Sequence, residues 1–205
     1  MIDGLFKHHI DSWWEEAAKP LTRLGMTANQ VTLMGLVLVV GNSAAYLWHG
    51  STLVFGLGLA ISFAADSLDG AVARLRKQCT LAGSYLDAMV DRYQELVVLL
   101  ALAYVNNVWP PAMLVLAGSF LTSYGKARCA IEMPIDNNQW PDLFERQERL
   151  VFICTLLVVD GLAGNHLGFF LLPAGLWILA GLTNLTAVQR ILRAWRILSE
   201  TQSRC

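Results

Sequence analysis

Charged residues are scarce in this sequence: Asp, Glu, Lys and Arg make up only 15% of its 205 residues, against 55% hydrophobic residues. Together with a mean hydropathy of +0.47, this composition is typical of a membrane protein with several spans. The formal net charge of −1 offers no general basic surface, so we expect no nucleic-acid partner.

Cysteine is also sparse, and its four copies show no CxxC spacing. The sequence therefore predicts neither a zinc site nor a disulfide framework. We expect no cleavable signal peptide either, because the first apolar run follows a polar segment of about 25 residues.

An apolar stripe with a polar back runs through residues 3–18 and predicts an amphipathic helix that lies on the membrane surface and ends at Pro20. Six apolar segments follow, each close to the length needed to cross a bilayer: 31–48, 53–73, 83–105, 111–131, 149–167 and 169–192. We predict an all-α, polytopic single domain over 1–205, with a juxtamembrane helix in 1–22 and a six-helix bundle in 23–205.

Basic residues are absent from three of the links, at 49–52, 106–110 and 160–168. All fifteen Lys and Arg residues fall near the other ends of the segments. By the positive-inside rule, both termini and the link between the second and third segments face the cytoplasm.

Four aspartates flank that link: Asp66, Asp69, Asp87 and Asp91. Each pair shares a helix face, because its members are three or four residues apart. Ionised carboxylates at membrane depth are costly unless they are compensated, and divalent cations bind carboxylate oxygens readily. The pattern predicts a metal site for phosphoryl-group chemistry, although two carboxylate pairs alone are equally compatible with a path for ions.

The complete spacing is more specific. The stretch from Asp66 to Asp91 resembles the signature of the CDP-alcohol phosphotransferase family. Its pattern is Asp-x2-Asp-Gly-x2-Ala-Arg-x8-Gly-x3-Asp-x3-Asp. The resemblance extends over essentially the whole chain, since the family also has six membrane helices after an amphipathic one. Such enzymes move a phosphatidyl group from a CDP-linked lipid to an alcohol, or a phospho-alcohol from its CDP form to a lipid, and release CMP.

The resemblance implies that the four aspartates bind one or two Mg²⁺ or Mn²⁺ ions and that Asp91 also acts as the base. It implies a CDP-lipid-binding set as well: Asn29, Thr32, Gly70, Ala73, Arg74, Thr80 and Gly83. Asn29 and Thr32 belong to a short motif in which Ala28 replaces the family's usual Pro. From the residues alone, the preferred interpretation of this stretch is a helix N-terminus capped by Thr27 or Asn29.

Three basic clusters close the fourth segment, open the fifth and close the sixth: Ser123-Tyr-Gly-Lys126-Ala-Arg128, Glu145-Arg146-Gln-Glu148-Arg149 and Gln189-Arg190. Any one of these clusters could equally well set the membrane orientation of the chain and contact lipid headgroups. The three together favour a pocket for an acceptor that already carries phosphate. They resemble the phosphatidylinositol-phosphate synthase branch of the family. This implies an acceptor-phosphate set: Ser123, Lys126, Arg128, Arg149 and Arg190. Lys126 and Arg128, two residues apart, cannot both face one pocket in an ideal helix.

The predicted function is transfer of the phosphatidyl group of CDP-diacylglycerol to a phosphorylated polyol, with release of CMP. Inositol 1-phosphate is the favoured acceptor and glycerol 3-phosphate the second. By resemblance, the protein is a homodimer of the inner membrane. Three alternatives stay open: a divalent-cation transporter, a non-catalytic scaffold, and a prenyltransferase with separate Asp motifs.

Overall fold

The computed structural model of the protein describes residues 14–133 and 144–202, of which 165–169, 201 and 202 by backbone only. Within these ranges the regular secondary structure is all helical and there is no strand, which confirms the all-α class. In chain order the helices are α1 (14–23), α2 (Ala28–His49), α3 (Thr52–Asp66), α4 (Leu68–Leu75), α5 (Leu81–Asn106), α6 (Trp109–Glu132) and α7 (Arg146–Gln202).

Helix α1 is the described part of the predicted amphipathic helix; residues 1–13 lie outside the described ranges. The prediction that this helix ends at Pro20 is wrong, because the Pro20 carbonyl accepts from the backbone N–H of Leu24 at 3.0 Å. A proline removes its own N–H donor but keeps its carbonyl, so the next turn can still form. Trp14 and the fully buried Ala18 pack in one apolar cluster with residues of α2 and α4.

The predicted apolar segments all coincide with helices, but two of their boundaries differ from the prediction. The second segment is divided at Ser67 into α3 and α4, although the φ of −60° and ψ of −10° at Ser67 remain in the helical region. The fifth and sixth segments are two helices that follow each other directly within α7 and meet at a kink at Gly164, where φ is +67° and ψ is −175°. Such a φ favours glycine, and the predicted link over 160–168 is therefore a single break.

Within the described part of the chain, three helical stretches are long and apolar enough to cross a membrane by length and composition: Ala28–His49, Thr52–Leu75 and Phe170–Glu200. Large apolar side chains also point outward along the bundle, among them Trp48, Ile61 and Trp195, each at least 70% exposed. An outer surface of this kind fits contact with lipid.

The bundle core runs between α2, α3, α5, α6 and α7. Tyr46 and Phe55 stack with ring centroids 4.2 Å apart, and the buried Leu102 and Leu157 belong to the same apolar cluster. At the opposite end of α2 and α3 the buried side chains become polar and charged, beginning with Asp66. The apolar core thus supports a polar site at one end of the bundle.

Candidate active site

The four predicted aspartates come together where the α3–α4 junction faces the first turns of α5. Asp66 is only 3% exposed; a Cβ at position 35 would collide with its carboxylate, so Gly35 is what lets α2 pass this close. The hydroxyl of Thr32 donates to Asp69 Oδ2 at 2.6 Å. Asp87 lies against Asp69, and Asp91 lies within electrostatic range of both Asp66 and Asp87.

Arg146 lies between two of these carboxylates. Its Nη2 is 2.7 Å from Asp91 Oδ1 and 3.2 Å from Asp66 Oδ2, and it donates to the side-chain carbonyl of Gln94 at 2.8 Å. Gln94, fully buried, donates in turn to Asp66 Oδ1 at 3.0 Å. Sequence reasoning missed both residues as part of the acidic site. The signal was the basic cluster of 145–149, in which only Arg149 was given a role.

The acidic cluster has the composition of a divalent-cation site but not its closed geometry. Among residues 14–133 and 144–202, no three carboxylate, imidazole or thiol groups surround one point as metal ligands would. Two observations still fit a hard cation. Four carboxylates outnumber the nearby guanidinium groups of Arg146 and Arg92. The buried Oδ1 of Asp91 has the ion pair with Arg146 but no hydrogen bond of normal geometry. Carboxylate oxygens are the ligands that Mg²⁺ and Mn²⁺ prefer.

A cavity of about 240 Å³ opens beside Asp69 and Asp87. All seven residues predicted to bind the CDP-lipid line it: Asn29, Thr32, Gly70, Ala73, Arg74, Thr80 and Gly83. Ala28 lines it as well, together with Gln78, Cys79 and Ser84; no motif in the sequence pointed to these last three.

The first turns of two helices form part of this wall, because each helix begins at a capping threonine. Thr27 caps α2, accepting from the Gln30 N–H at 3.3 Å, and Thr80 caps α5, accepting from the Gly83 N–H at 3.0 Å. The capping interpretation of Thr27 therefore holds together with the placement of Asn29 and Thr32 on the cavity. Helix N-termini favour anionic ligands, as a diphosphate would be.

Arg74 stands at the rim of the same cavity. Its side chain is 45% exposed, and its Nε lies 3.5 Å from the Glu15 carboxylate of α1. The helix that precedes the bundle therefore reaches the edge of the predicted nucleotide site.

A second cavity, of about 270 Å³, contains three of the five residues predicted to hold the acceptor's phosphate: Ser123, Arg149 and Arg190. Arg92 and Arg146 join them, so four guanidinium groups line one cavity. Lys126 and Arg128 are not among the lining residues. Arg128 is half exposed and pairs with Glu132, one helical turn further on, at 2.6 Å. The prediction that Lys126 and Arg128 cannot both face one pocket agrees with this arrangement.

Glu95 forms ion pairs with two of these arginines. Its side chain is 5% exposed; Oε1 accepts from Arg149 Nη2 at 2.9 Å, and Oε2 pairs with Arg92 Nη1 at 3.1 Å and accepts from Ser119. Arg92 also donates to Ser123 at 2.8 Å. The buried carboxylate thus sets the positions of guanidinium groups from both α5 and α7. Glu95 carries no recognisable motif, and its role depends on how these helices pack.

Comparisons with known proteins agree with this site. The family model described as CDP-alcohol phosphatidyltransferase matches residues 25–180. An archaetidylinositol phosphate synthase of Pyrococcus horikoshii is 30% identical over 183 residues, which cover 88% of this chain and 89% of that protein. A phosphatidylinositol phosphate synthase of Corynebacterium glutamicum is 34% identical over 190 residues, covering 88% and 83%.

The fold is also shared with a solved enzyme, the phosphatidylinositol phosphate synthase of Mycobacterium tuberculosis. Its crystal structure with CDP-DAG bound matches with a TM-score of 0.77 at 27% identity, covering 89% of this chain and 93% of that one. Its structure in complex with manganese and citrate matches with a TM-score of 0.77 at 28% identity, covering 89% and 88%. The resemblance found in the Asp66–Asp91 spacing is confirmed, and the chain is an enzyme that belongs to the CDP-alcohol phosphatidyltransferase family.

Proposed function

We propose that the protein transfers the phosphatidyl group of CDP-diacylglycerol to inositol 1-phosphate and releases CMP. One observation carries this proposal: a cavity lined by four arginines adjoins the acidic cluster, on whose other side lies the cavity with the predicted CDP-lipid residues. A neutral alcohol has no need of four guanidinium groups, whereas a phosphate ester is the ligand they match.

On the nucleotide side, Asp69 and Asp87 form one wall of the cavity, and the first turns of α2 and α5 form another. Asp66, Asp69, Asp87 and Asp91 would hold one or two Mg²⁺ or Mn²⁺ ions. Such ions, when bound, neutralise charge that develops on the phosphate oxygens. The chain itself supplies N–H groups and the Arg74 guanidinium for the diphosphate.

On the acceptor side, Arg149 and Arg190 bind the phosphate of the incoming alcohol, together with Ser123. Both arginines are more than 90% buried. Buried guanidinium groups lose little conformational entropy when a ligand binds, so they can fix the acceptor before reaction. The same cavity contains Arg92 and Arg146, which pair with Asp91, so an acceptor bound there would lie next to that carboxylate.

Asp91 is the proposed base. Its buried Oδ1 forms an ion pair with Arg146 Nη2 but no hydrogen bond of normal geometry. The carboxylate therefore keeps lone pairs that can take the proton of the acceptor hydroxyl. The hydroxyl oxygen then forms a bond to the lipid-side phosphorus. The bond from that phosphorus to the bridging oxygen breaks, and CMP departs with the electron pair.

The membrane arrangement is part of the same proposal. A single domain over 1–205 would cross the inner membrane six times, with α3 and α4 as one span and α7 as two. Both termini and the site would face the cytoplasm, as the distribution of Lys and Arg supports. A homodimer is proposed on the family resemblance.

The test is CMP release by the purified protein with CDP-diacylglycerol, Mg²⁺ or Mn²⁺, and four acceptors: inositol, inositol 1-phosphate, glycerol 3-phosphate and serine. We expect release with inositol 1-phosphate, weaker release with glycerol 3-phosphate, and loss of both after chelation by EDTA. Release with inositol or serine alone would overturn the assignment of the arginine-lined cavity.

A further inference from the structure

Arg146 pairs with two carboxylates of the acidic cluster and also lines the arginine cavity. Arg92 lines the same cavity, but its pairs are with Asp91 Oδ2, at 3.8 Å, and with Glu95. Arg146 Nη2 lies 2.7 Å from Asp91 Oδ1 and 3.2 Å from Asp66 Oδ2. The same residue lines the cavity of Arg149 and Arg190. Arg146 is also the first residue of α7, and its side chain is 24% exposed. Of the groups that contact Asp66, it has the most room to move.

The two oxygens that pair with Arg146, Asp66 Oδ2 and Asp91 Oδ1, belong to the carboxylates that would bind a divalent cation. Asp66 and Asp91 are buried, and buried carboxylates without a counter-charge are strongly unfavourable. The Arg146 guanidinium supplies that charge. Mg²⁺ binds oxygen ligands at about 2.0–2.1 Å. Because like charges repel, a divalent cation on these oxygens cannot share them with the Nη2 group.

A guanidinium group displaced from the carboxylates by a cation can move into the neighbouring arginine cavity. The arginine cavity adjoins Arg146, and Ser123, Arg149 and Arg190 already line it. An extra guanidinium in an empty cavity would be repelled by its neighbours, but in the presence of a phosphate ester it gains a charge-assisted hydrogen bond.

We propose that Arg146 is an exchangeable cation that couples the two halves of the site. Its guanidinium pairs with Asp66 and Asp91 until a divalent cation binds there, and then binds the phosphate of the acceptor. The acceptor half of this inference rests on the proposed function; the competition with the metal ion does not. Binding of the metal and of the acceptor must then strengthen each other, and by the same factor, because such coupling is reciprocal.

The first test is a Mn²⁺ titration of the purified protein without lipid or acceptor, with free Mn²⁺ followed by electron paramagnetic resonance. We expect Arg146→Gln to bind Mn²⁺ about tenfold more tightly than the unaltered protein, since no charge-assisted hydrogen bonds have to be broken. Arg146→Lys should fall between the two. Arg196→Gln, which removes the same charge from an exposed position of α7, is the matched control and should leave the affinity unchanged.

The second test repeats the titration with saturating inositol 1-phosphate. We expect the acceptor to tighten Mn²⁺ binding about fivefold or more in the unaltered protein and in Arg196→Gln, but not in Arg146→Gln. The unfolding temperature adds a readout of the fold: metal-free Arg146→Gln should melt lower than the unaltered protein and gain more from Mn²⁺.

Two results would overturn the proposal: Mn²⁺ binding by Arg146→Gln that is equal to or weaker than that of the unaltered protein, or an acceptor effect of the same size in both. A failure of the proposed function looks different. It would appear as an absence of CMP release with every phosphorylated acceptor, whatever the Mn²⁺ titration without acceptor shows.

Discussion

Replacing Glu95 with Gln removes one negative charge and almost no volume. The Glu95 carboxylate faces Arg149 at 2.9 Å and Arg92 at 3.1 Å, and the exposed fractions of the Glu95, Arg149 and Arg92 side chains are 5%, 4% and 18%. Removing one partner of a buried ion pair costs about 3–5 kcal/mol, because the other charge stays buried without compensation. Since Gln can still accept one hydrogen bond, we expect a loss of about 3 kcal/mol in unfolding free energy. For a chain of this length this corresponds to about 6 °C or more in unfolding temperature.

The same substitution at Glu132 is the matched control. Glu132 pairs with Arg128 at 2.6 Å, but both side chains are about half exposed, so Glu132→Gln should cost only about 0.3–0.5 kcal/mol. In CMP-release assays at saturating CDP-diacylglycerol, Glu95→Gln should also raise the KM for inositol 1-phosphate about tenfold, because Arg92 and Arg149 lose their shared anchor. Equal unfolding temperatures and equal KM values for the two variants would refute the argument that Glu95 positions the arginine cavity.

Three further predictions concern single residues. Asp91→Asn should abolish CMP release while the protein keeps its fold, as judged by its unfolding temperature; full turnover would remove Asp91 from the role of base. Arg149→Gln should raise the KM for inositol 1-phosphate by about one to two orders of magnitude. The control is Arg128→Gln, which should change this KM by less than about threefold, because Arg128 does not line the cavity. A larger effect of Arg128→Gln than of Arg149→Gln would contradict the assigned cavity. Gly35→Ala places a methyl group against the Asp66 carboxylate. It should destabilise the protein by about 1–3 kcal/mol and weaken Mn²⁺ binding. Gly41→Ala is the control and should do neither, because no atom lies within 4 Å of the added methyl group.

The parts of the site that could be predicted from sequence are those fixed by local spacing. Asp66 and Asp69 share a face because Ser67 keeps helical dihedrals between them. Residues Thr80 and Gly83 lie on one cavity because the first caps the helix that contains the second. Helical geometry also predicted that Arg128 and Lys126 could not both face one pocket, and neither lines the arginine cavity.

The parts that could not be predicted depend on how distant helices are rotated against each other. Arg146 reaches Asp66 across 80 residues of sequence, and no periodicity within α7 indicates which of its arginines will do so. Glu95 follows the Asp motif by only four residues, yet its partner Arg149 comes from another helix. The predicted end of α1 at Pro20 was also wrong. A proline lacks the N–H donor, but its carbonyl can still accept the hydrogen bond that continues the helix.

The most direct test of the central claim is whether the acceptor's phosphate enters the lipid. With purified protein, CDP-diacylglycerol, Mn²⁺ and inositol 1-phosphate labelled in its phosphate group, we expect label in the lipid fraction and CMP in equal amounts. Release of CMP with no label in the lipid would mean that the diphosphate is cleaved without transfer to a phosphorylated acceptor, and would contradict the account of the two cavities.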